Sequence, residues 1–112
     1  MSDLATRRCK PCEGGVPPLT PEQAKGLLGQ VSSAWVLTEN AHAIRREFAF
    51  RDFYRTMSFV NALAHIANTE DHHPDLEVGY NHCHVTFSTH AVRGLSENDF
   101  VCAAKVDLIP LG

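Results

Sequence analysis

The chain has 112 residues, 44% of them hydrophobic and 21% charged, and its formal net charge is -3. A chain of this length makes one domain that buries on the order of 65% of its unfolded surface without disulfides or a structural metal, and its charge shows no basic excess for direct binding of nucleic acid. No apolar run approaches the roughly 20 residues that a membrane helix needs, and no hydrophobic signal segment follows the start of the chain. We therefore expect a cytoplasmic protein without membrane contacts, whose four cysteines are free thiols.

Residues 1–18 are predicted to form a flexible N-terminal arm that precedes a single domain at residues 19–112. The arm contains Gly14-Gly15 and Pro17-Pro18 but few large apolar residues. It therefore offers too little apolar surface to offset the entropy that ordering would cost.

The first helix is predicted to begin at Thr20 and to end near Leu28. In Thr-Pro-Glu-Gln, Thr20 can cap the helix, the proline occupies the first helical position, and Gln23 can reach back to the cap. A glycine follows Leu28 and is typical of a helix end.

Two strands are predicted next, at residues 35–37 and 44–50. The polar segment Thr38-Glu39-Asn40 separates them and is typical of a turn. In the second strand, alternation places three apolar residues on one face: Ile44, Phe48 and Phe50. A hairpin is the expected result.

A longer second helix is predicted to begin after Asp52, which can cap it. Its apolar face is expected to contain the residues that recur at helical spacing, namely Phe53, Met57, Val60, Leu63, Ala64 and Ala67. Pro74 cannot continue a helix. The histidine pair His72-His73 therefore lies just beyond the helix end.

Period-two alternation predicts a second hairpin with one solvent-facing side. Its first strand contains Leu76, Val78 and Tyr80. After Asn81, the apolar positions of its second strand are Cys83, Val85 and Phe87, and they alternate with His82, His84, Thr86, Ser88 and His90.

The last helix is predicted to begin at Ser96-Glu97-Asn98-Asp99, where acidic groups favour the positive end of a helix. Its apolar residues are Phe100, Val101, Ala104 and Val106. The predicted order is α-β-β-α-β-β-α. This order favours an α+β fold in which an antiparallel four-stranded sheet is covered on one face by helices.

Three histidines, His72, His73 and His90, indicate proton transfer or metal ligation, because imidazole has an ordinary pKa of about 6.5. Pro74 disfavours helical backbone at His73, so the two neighbouring rings should diverge. Alternation places Thr86, Ser88 and His90 on one side of a strand. Such a surface would suit a planar, heteroatom-rich ligand, and His72 and His90 could form a general acid and base pair if they approach each other.

Each of these residues also has a structural interpretation. The other histidines, namely His42, His65, His82 and His84, are expected to be structural. Asp99 in Ser-x-x-Asp could cap a helix or contribute to chemistry, and Glu70 and Asp71 could be solvated or could orient a histidine.

A metal site is the less favoured alternative. Cys9-x-x-Cys12 lacks the second close ligand pair of a zinc signature, and His82-x-His84 is the best remaining pair. Gly14-Gly15 precedes prolines instead of a helix, so it is unlike a phosphate-binding loop.

Four linked motifs resemble the pterin-4a-carbinolamine dehydratase family: EDHHPD at 70–75, Tyr80, HVTFSTH at 84–90 and GLSENDF at 94–100. The resemblance spans about residues 19–108. It implies an α+β fold, a homodimer or homotetramer, and dehydration of 4a-hydroxytetrahydrobiopterin to quinonoid dihydropterin without metal or organic cofactor. It also implies a functional link to an aromatic amino acid hydroxylase, whose used pterin is the substrate.

The resemblance further implies the site residues. The catalytic residues would be His72 and His90, as acid and base, together with His73, which would position the pterin. Ser88, Thr89 and Asp99 would complete the substrate-binding set, and Asp99 could orient a histidine.

One departure from the family pattern is Asn68, because a charged residue is usual four positions before the first histidine. An amide cannot hold a histidine charged, so the sequence alone does not define the pKa of His72. The family also implies an alternative, a non-catalytic binding, assembly or coactivator role on the same fold. Retention of all three histidines favours the enzyme.

Overall fold

An antiparallel sheet organises the fold. The computed structural model describes residues 3–11 and 16–111, and within them four strands form one sheet in the order β1-β2-β4-β3. The strands are β1 (Val36–Leu37), β2 (Ile44–Ala49), β3 (Asp75–Val78) and β4 (His82–Phe87). Both predicted hairpins are confirmed, and the pairing of β2 with β4 joins them at the centre of the sheet.

Three α-helices accompany the sheet in the described part of the chain: α1 (Pro21–Leu28), α2 (Phe53–Glu70) and α3 (Glu97–Val106). The predicted order and α+β class are confirmed. Thr20 and Asp52 cap α1 and α2 through their side chains, as their sequences predict. None of these helices is long and apolar enough to cross a lipid bilayer.

One face of the sheet forms the core together with the helices. Cys83, Val85 and Phe87 of β4 are buried and alternate with half-buried polar residues, as the period-two pattern predicts. Phe48 of β2 packs against Phe59 of α2 with ring centroids 4.4 Å apart. The helical and sheet side chains therefore share one hydrophobic cluster.

The buried face of α2 differs from the predicted apolar face. The buried residues are Thr56, Phe59, Leu63, Ala67 and Glu70, whereas Phe53 is exposed at the helix start and stacks on Tyr80. Thr56 can be buried because its hydroxyl donates to the carbonyl of Asp52 at 2.8 Å. Leu63 and Ala67 belong to both the predicted apolar face and the observed buried face, so helical spacing alone did not distinguish these two faces of α2.

The edge strand β3 also differs from its predicted pattern. Leu76 and Val78, which the alternation places toward a core, are 36% and 43% exposed. The strand pairs with β4 on one side only, and its apolar side chains remain accessible in the single chain.

The N-terminal segment, residues 3–11, packs against the domain, and these contacts are not evident from the composition of the predicted arm. Leu4 lies in a short 3-10 helix and is part of the hydrophobic core. Lys105 of α3 donates from Nζ to the carbonyl of Ala5 at 2.8 Å. The glycines at positions 14 and 15, on which the prediction of a loose arm partly rested, lie outside the described residues.

We expect Leu4→Ala to lower the free energy of unfolding by about 2–4 kcal/mol, because it removes a fully buried side chain from the core. Leu108→Ala is the matched control, since Leu108 is 72% exposed and should change stability by no more than about 0.5 kcal/mol. Urea denaturation of both variants measures the difference. Equal small effects would show that the segment is loose after all.

Candidate active site

A cavity of about 670 Å³ lies where α2 ends, β3 begins and β4 ends. Its volume is in the range of small-molecule sites. The residues of the histidine motifs that line it are His72, His73, Ser88, Thr89 and His90, together with Asp75 and Thr86. The fold therefore brings together five of the six predicted site residues, although 15 or more positions separate the two groups in the chain.

The end of α2 positions the histidine pair. Asp71 adopts left-handed backbone with φ of 51°, which ends the helix one residue before His72. The amide of His72 still donates to the carbonyl of Ala67 at 3.1 Å, so this turn is closed. The two rings then diverge toward different partners, as the proline predicts.

His72 is held by Asp99 and by the core. Its Nε2 lies 2.6 Å from Oδ1 of Asp99, and its ring stacks on Phe87 at 6.1 Å with an interplanar angle of 9°. A carboxylate accepts hydrogen bonds, so Nε2 carries the proton in this pair. Nδ1 is then the nitrogen that can exchange a proton with a ligand.

The pKa of His72 is raised above its ordinary value. Burial by itself lowers the pKa of this imidazole, but the hydrogen bond with Asp99 and the charge of that carboxylate outweigh it. The side chain of His72 is 12% exposed, so water screens the pair only partly. The site thus favours a protonated His72.

Asp99 lies behind the cavity and does not line it. The carboxylate is fully buried, and its second oxygen, Oδ2, accepts from Oγ1 of Thr89 at 2.7 Å and from the amide of Ser96 at 2.9 Å. Because the Thr89 hydroxyl donates to Asp99, the Ser96 hydroxyl donates to Thr89 at 2.7 Å. Asp99 therefore combines both interpretations that its motif allows: it caps α3 and orients His72.

His90 approaches from another element. The strand β4 ends at Phe87, and His90 begins a short 3-10 helix, His90–Val92, instead of extending the strand. A pair of hydrogen bonds between Thr89 and Gly94 closes this turn. A side chain at position 94 would lie within 2.8 Å of Pro18, which explains the glycine in the GLSENDF motif.

Asn68 contacts His73, not His72. Its Oδ1 lies 3.0 Å from Nε2 of His73, whereas Asp99 is the partner of His72. Although position 68 holds an amide, His72 therefore has a charged neighbour, which is Asp99 of α3. Asn68 instead fixes the exposed ring of His73 at the rim.

Another part of the cavity wall comes from residues that the sequence analysis did not assign to the substrate site, although Cys9 was considered there as a metal ligand. Cys9, Lys10 and Pro11 line it together with Asn98. The side-chain amide of Asn98 accepts from the amide of Lys10 at 3.0 Å and donates to its carbonyl at 2.6 Å. No local pattern marks this wall, because its two sides are 88 positions apart.

Glu70 anchors the same wall from α2. Its carboxylate is buried, accepts from the amide of Cys9 at 2.7 Å and pairs with Arg8 at 2.9 Å. Burial would raise the pKa of Glu70, but the Cys9 amide and the charges of Arg8 and Lys105 lower it. Glu70 therefore holds the N-terminal segment, a role that differs both from a solvated face and from orienting a histidine.

The remaining candidates lie elsewhere. His82 and His84 occupy the solvent side of β4, where Nδ1 of His84 lies 3.0 Å from Arg45, and His42 and His65 do not line the cavity either. Across residues 3–11 and 16–111, no three His, Cys, Asp or Glu side chains are grouped so that they could hold a metal ion. Cys12 lies outside the described residues.

A family model described as Pterin 4 alpha carbinolamine dehydratase matches residues 17–109. The chain belongs to this family. A protein of Nitrosomonas eutropha, provisionally named pterin-4-alpha-carbinolamine dehydratase, is 59% identical over 109 residues, or 97% of this chain and 95% of the relative. A Legionella pneumophila (strain Lens) protein with the same provisional name is 58% identical over 106 residues, or 95% and 94% of the two chains.

Solved structures with this fold have more than one described role. A transcriptional coactivator/pterin dehydratase from Brucella melitensis matches with a TM-score of 0.75 at 32% identity, over 80% of this chain and 94% of that one. A pterin dehydratase-like protein described as a RuBisCO assembly factor in the alpha-carboxysome matches with a TM-score of 0.58 over 66% and 86% of the two chains. At 24% identity, this second likeness shows the fold alone.

We expect Asp99→Asn to lower the pKa of His72 relative to the wild type, because burial is then no longer opposed by the Asp99 carboxylate. NMR titration of the His72 ring measures the shift. Asp75→Asn is the control, since Asp75 lines the cavity but its charge is not among the causes of the raised pKa. An unchanged His72 pKa in Asp99→Asn would contradict the assigned partnership.

The same pair should make stability depend on pH. The folded pKa of His72 is raised above the unfolded value of about 6.5, so its contribution is fully present below that value and is lost as pH rises through the folded pKa. The stability advantage of the wild type over His72→Gln should therefore shrink with increasing pH, as urea denaturation across pH would show. In an Asp99→Asn background this pH dependence should be reduced, because the largest cause that raises the pKa of His72 is gone, and an undiminished pH dependence there would assign it to another group.

Proposed function

We propose that the protein is a hydro-lyase that dehydrates 4a-hydroxytetrahydrobiopterin to quinonoid dihydropterin and water. One observation carries the proposal: an imidazole oriented by a buried carboxylate and a second imidazole from another element line the same cavity. Dehydration needs a proton donor and a proton acceptor in one site, and this pair supplies both.

The raised pKa of His72 supports the acid role for this residue. Protonated His72 would donate from Nδ1 to the departing hydroxyl group at C4a, while Nε2 stays bonded to Asp99. His90 would accept the proton of the adjacent ring nitrogen. The C4a–O bond breaks, a double bond forms between C4a and that nitrogen, and one water leaves, so no redox partner is required.

The rest of the cavity would bind the pterin ring. We assign ligand contacts to the His73 ring, which Asn68 fixes at the rim, and to Ser88, which lines the cavity and is half-buried. The Thr89 hydroxyl is bonded to Asp99 and Ser96, so Thr89 would act mainly by shaping the wall. Asp99 would act through His72 as a positioning residue.

The biological setting belongs to the same proposal. The product of a pterin-dependent aromatic amino acid hydroxylase would be the physiological substrate, and recycling of that pterin would take place in the cytoplasm. The apolar side chains of Leu76 and Val78 on the edge strand would support a homodimer or homotetramer, because they are accessible in the single chain.

We expect His72→Ala and His90→Ala each to reduce turnover at least about tenfold, because each removes one proton-transfer group. The assay follows the ultraviolet absorbance of a chemically generated 4a-hydroxytetrahydropterin and subtracts the uncatalysed rate. His65→Ala, an exposed residue of α2 outside the cavity, is the control. Wild-type rates in both cavity variants, with the fold confirmed by circular dichroism, would refute the proposed roles.

The alternative is a non-catalytic binding role on the same fold, which the coactivator description of the Brucella melitensis structure makes relevant. A variant with all three cavity histidines replaced by alanine separates the two. Loss of the cellular function together with turnover supports the enzyme. A variant that lacks turnover but still fulfils the cellular function and retains a stoichiometric protein partner would favour the binding role.

A further inference from the structure

Two cysteine sulfurs meet in the wall of the cavity. Sγ of Cys9, in the N-terminal segment, lies 3.4 Å from Sγ of Cys102, in α3, and both residues are free thiols. A disulfide bond is about 2.05 Å long, so the observed pair is a thiol contact. The two residues are 93 positions apart in the chain, and only the packing of the N-terminal segment brings them together.

Their surroundings give the two thiols different characters. Cys9 is half-buried and lines the cavity, whereas Cys102 is fully buried. The hydrogen bond from the Cys102 thiol lowers the pKa of Cys9, and the same bond together with burial raises the pKa of Cys102. The accessible thiol is therefore the one that can act as a thiolate nucleophile.

Contacts that do not involve sulfur hold Cys9 in place. The carboxylate of Glu70 accepts from its backbone amide at 2.7 Å, and Asn98 binds both backbone groups of the neighbouring Lys10. Leu4 anchors the start of the segment in the core. The proximity of the two sulfurs is therefore a property of the fold.

We propose that Cys9 and Cys102 form a redox site in the cavity wall, which low-molecular-weight disulfides oxidise to an intramolecular disulfide. The Cys9 thiolate attacks one sulfur of the oxidant, forms a mixed disulfide and expels one thiolate. Cys102 loses its proton and attacks the Cys9 sulfur, which forms the protein disulfide and expels the second thiolate. Two protein thiols are oxidised, and the oxidant is reduced to two thiols.

The product would tie the N-terminal wall of the cavity covalently to α3. In a reducing compartment such a bond is transient and belongs to regulatory disulfides, not structural ones. The inference does not depend on which reaction the cavity catalyses, because it rests on the contact between the two sulfurs and on the packing of the N-terminal segment.

The test oxidises the full-length reduced protein with glutathione disulfide under native conditions, followed by alkylation and peptide mapping by mass spectrometry. We expect a Cys9–Cys102 disulfide as the main product, at least about tenfold more abundant than any Cys9–Cys12 product. Cys12→Ser should give the same disulfide. Cys102→Ala and Cys102→Ser should stop at a glutathione adduct on Cys9, and having both variants guards against a folding defect in one of them.

Two controls make the result specific. Cys83, which is buried in β4, should remain a free thiol throughout. In urea the preference for Cys9–Cys102 should disappear, since the long chain separation then favours the nearby Cys12. A dominant Cys9–Cys12 product under native conditions, a wild type that stays fully reduced, or the same preference in urea would each overturn the proposal.

Discussion

The buried carboxylate of Asp99 is the interaction on which fold and site both depend. It joins the start of α3, the turn at Thr89 and the ring of His72 through hydrogen bonds of 2.6 to 2.9 Å. A fully buried carboxylate is tolerated only when its oxygens are bonded. Consequently, the end of α2, the end of β4 and the beginning of α3 must meet at this point, and the meeting point is also where the cavity opens.

A second buried carboxylate, Glu70, has a comparable function on the other side of the cavity. It binds the amide of Cys9 and the cations of Arg8 and Lys105, so the N-terminal segment forms part of the cavity wall. This arrangement explains why a segment of low apolar content is ordered. The core residue Leu4 and a few polar contacts hold this segment against the domain, and the amino-acid composition does not reveal these contacts.

The departures from the sequence predictions have a common physical cause. The face that α2 buries, the exposure of β3 and the partner of Asn68 all depend on which elements lie opposite, and spacing along one element does not report this. Asp52 satisfies the hydroxyl of the buried Thr56, whereas Leu76 stays 36% exposed on a strand that pairs on one side only. Asn68 binds His73 because His72 is already turned toward Asp99.

The sequence by itself determined the order of helices and strands, the capping of each helix, the solvent-facing side of β4 and the family, because these follow from local periodicity, cap chemistry and short motifs. It also predicted which histidines would share a surface. Tertiary structure alone decided the raised pKa of His72, the wall made by residues 9–11 and the contact between Cys9 and Cys102. These features join groups that are 27 to 93 positions apart, and their energies depend on burial and distance, which no local pattern encodes.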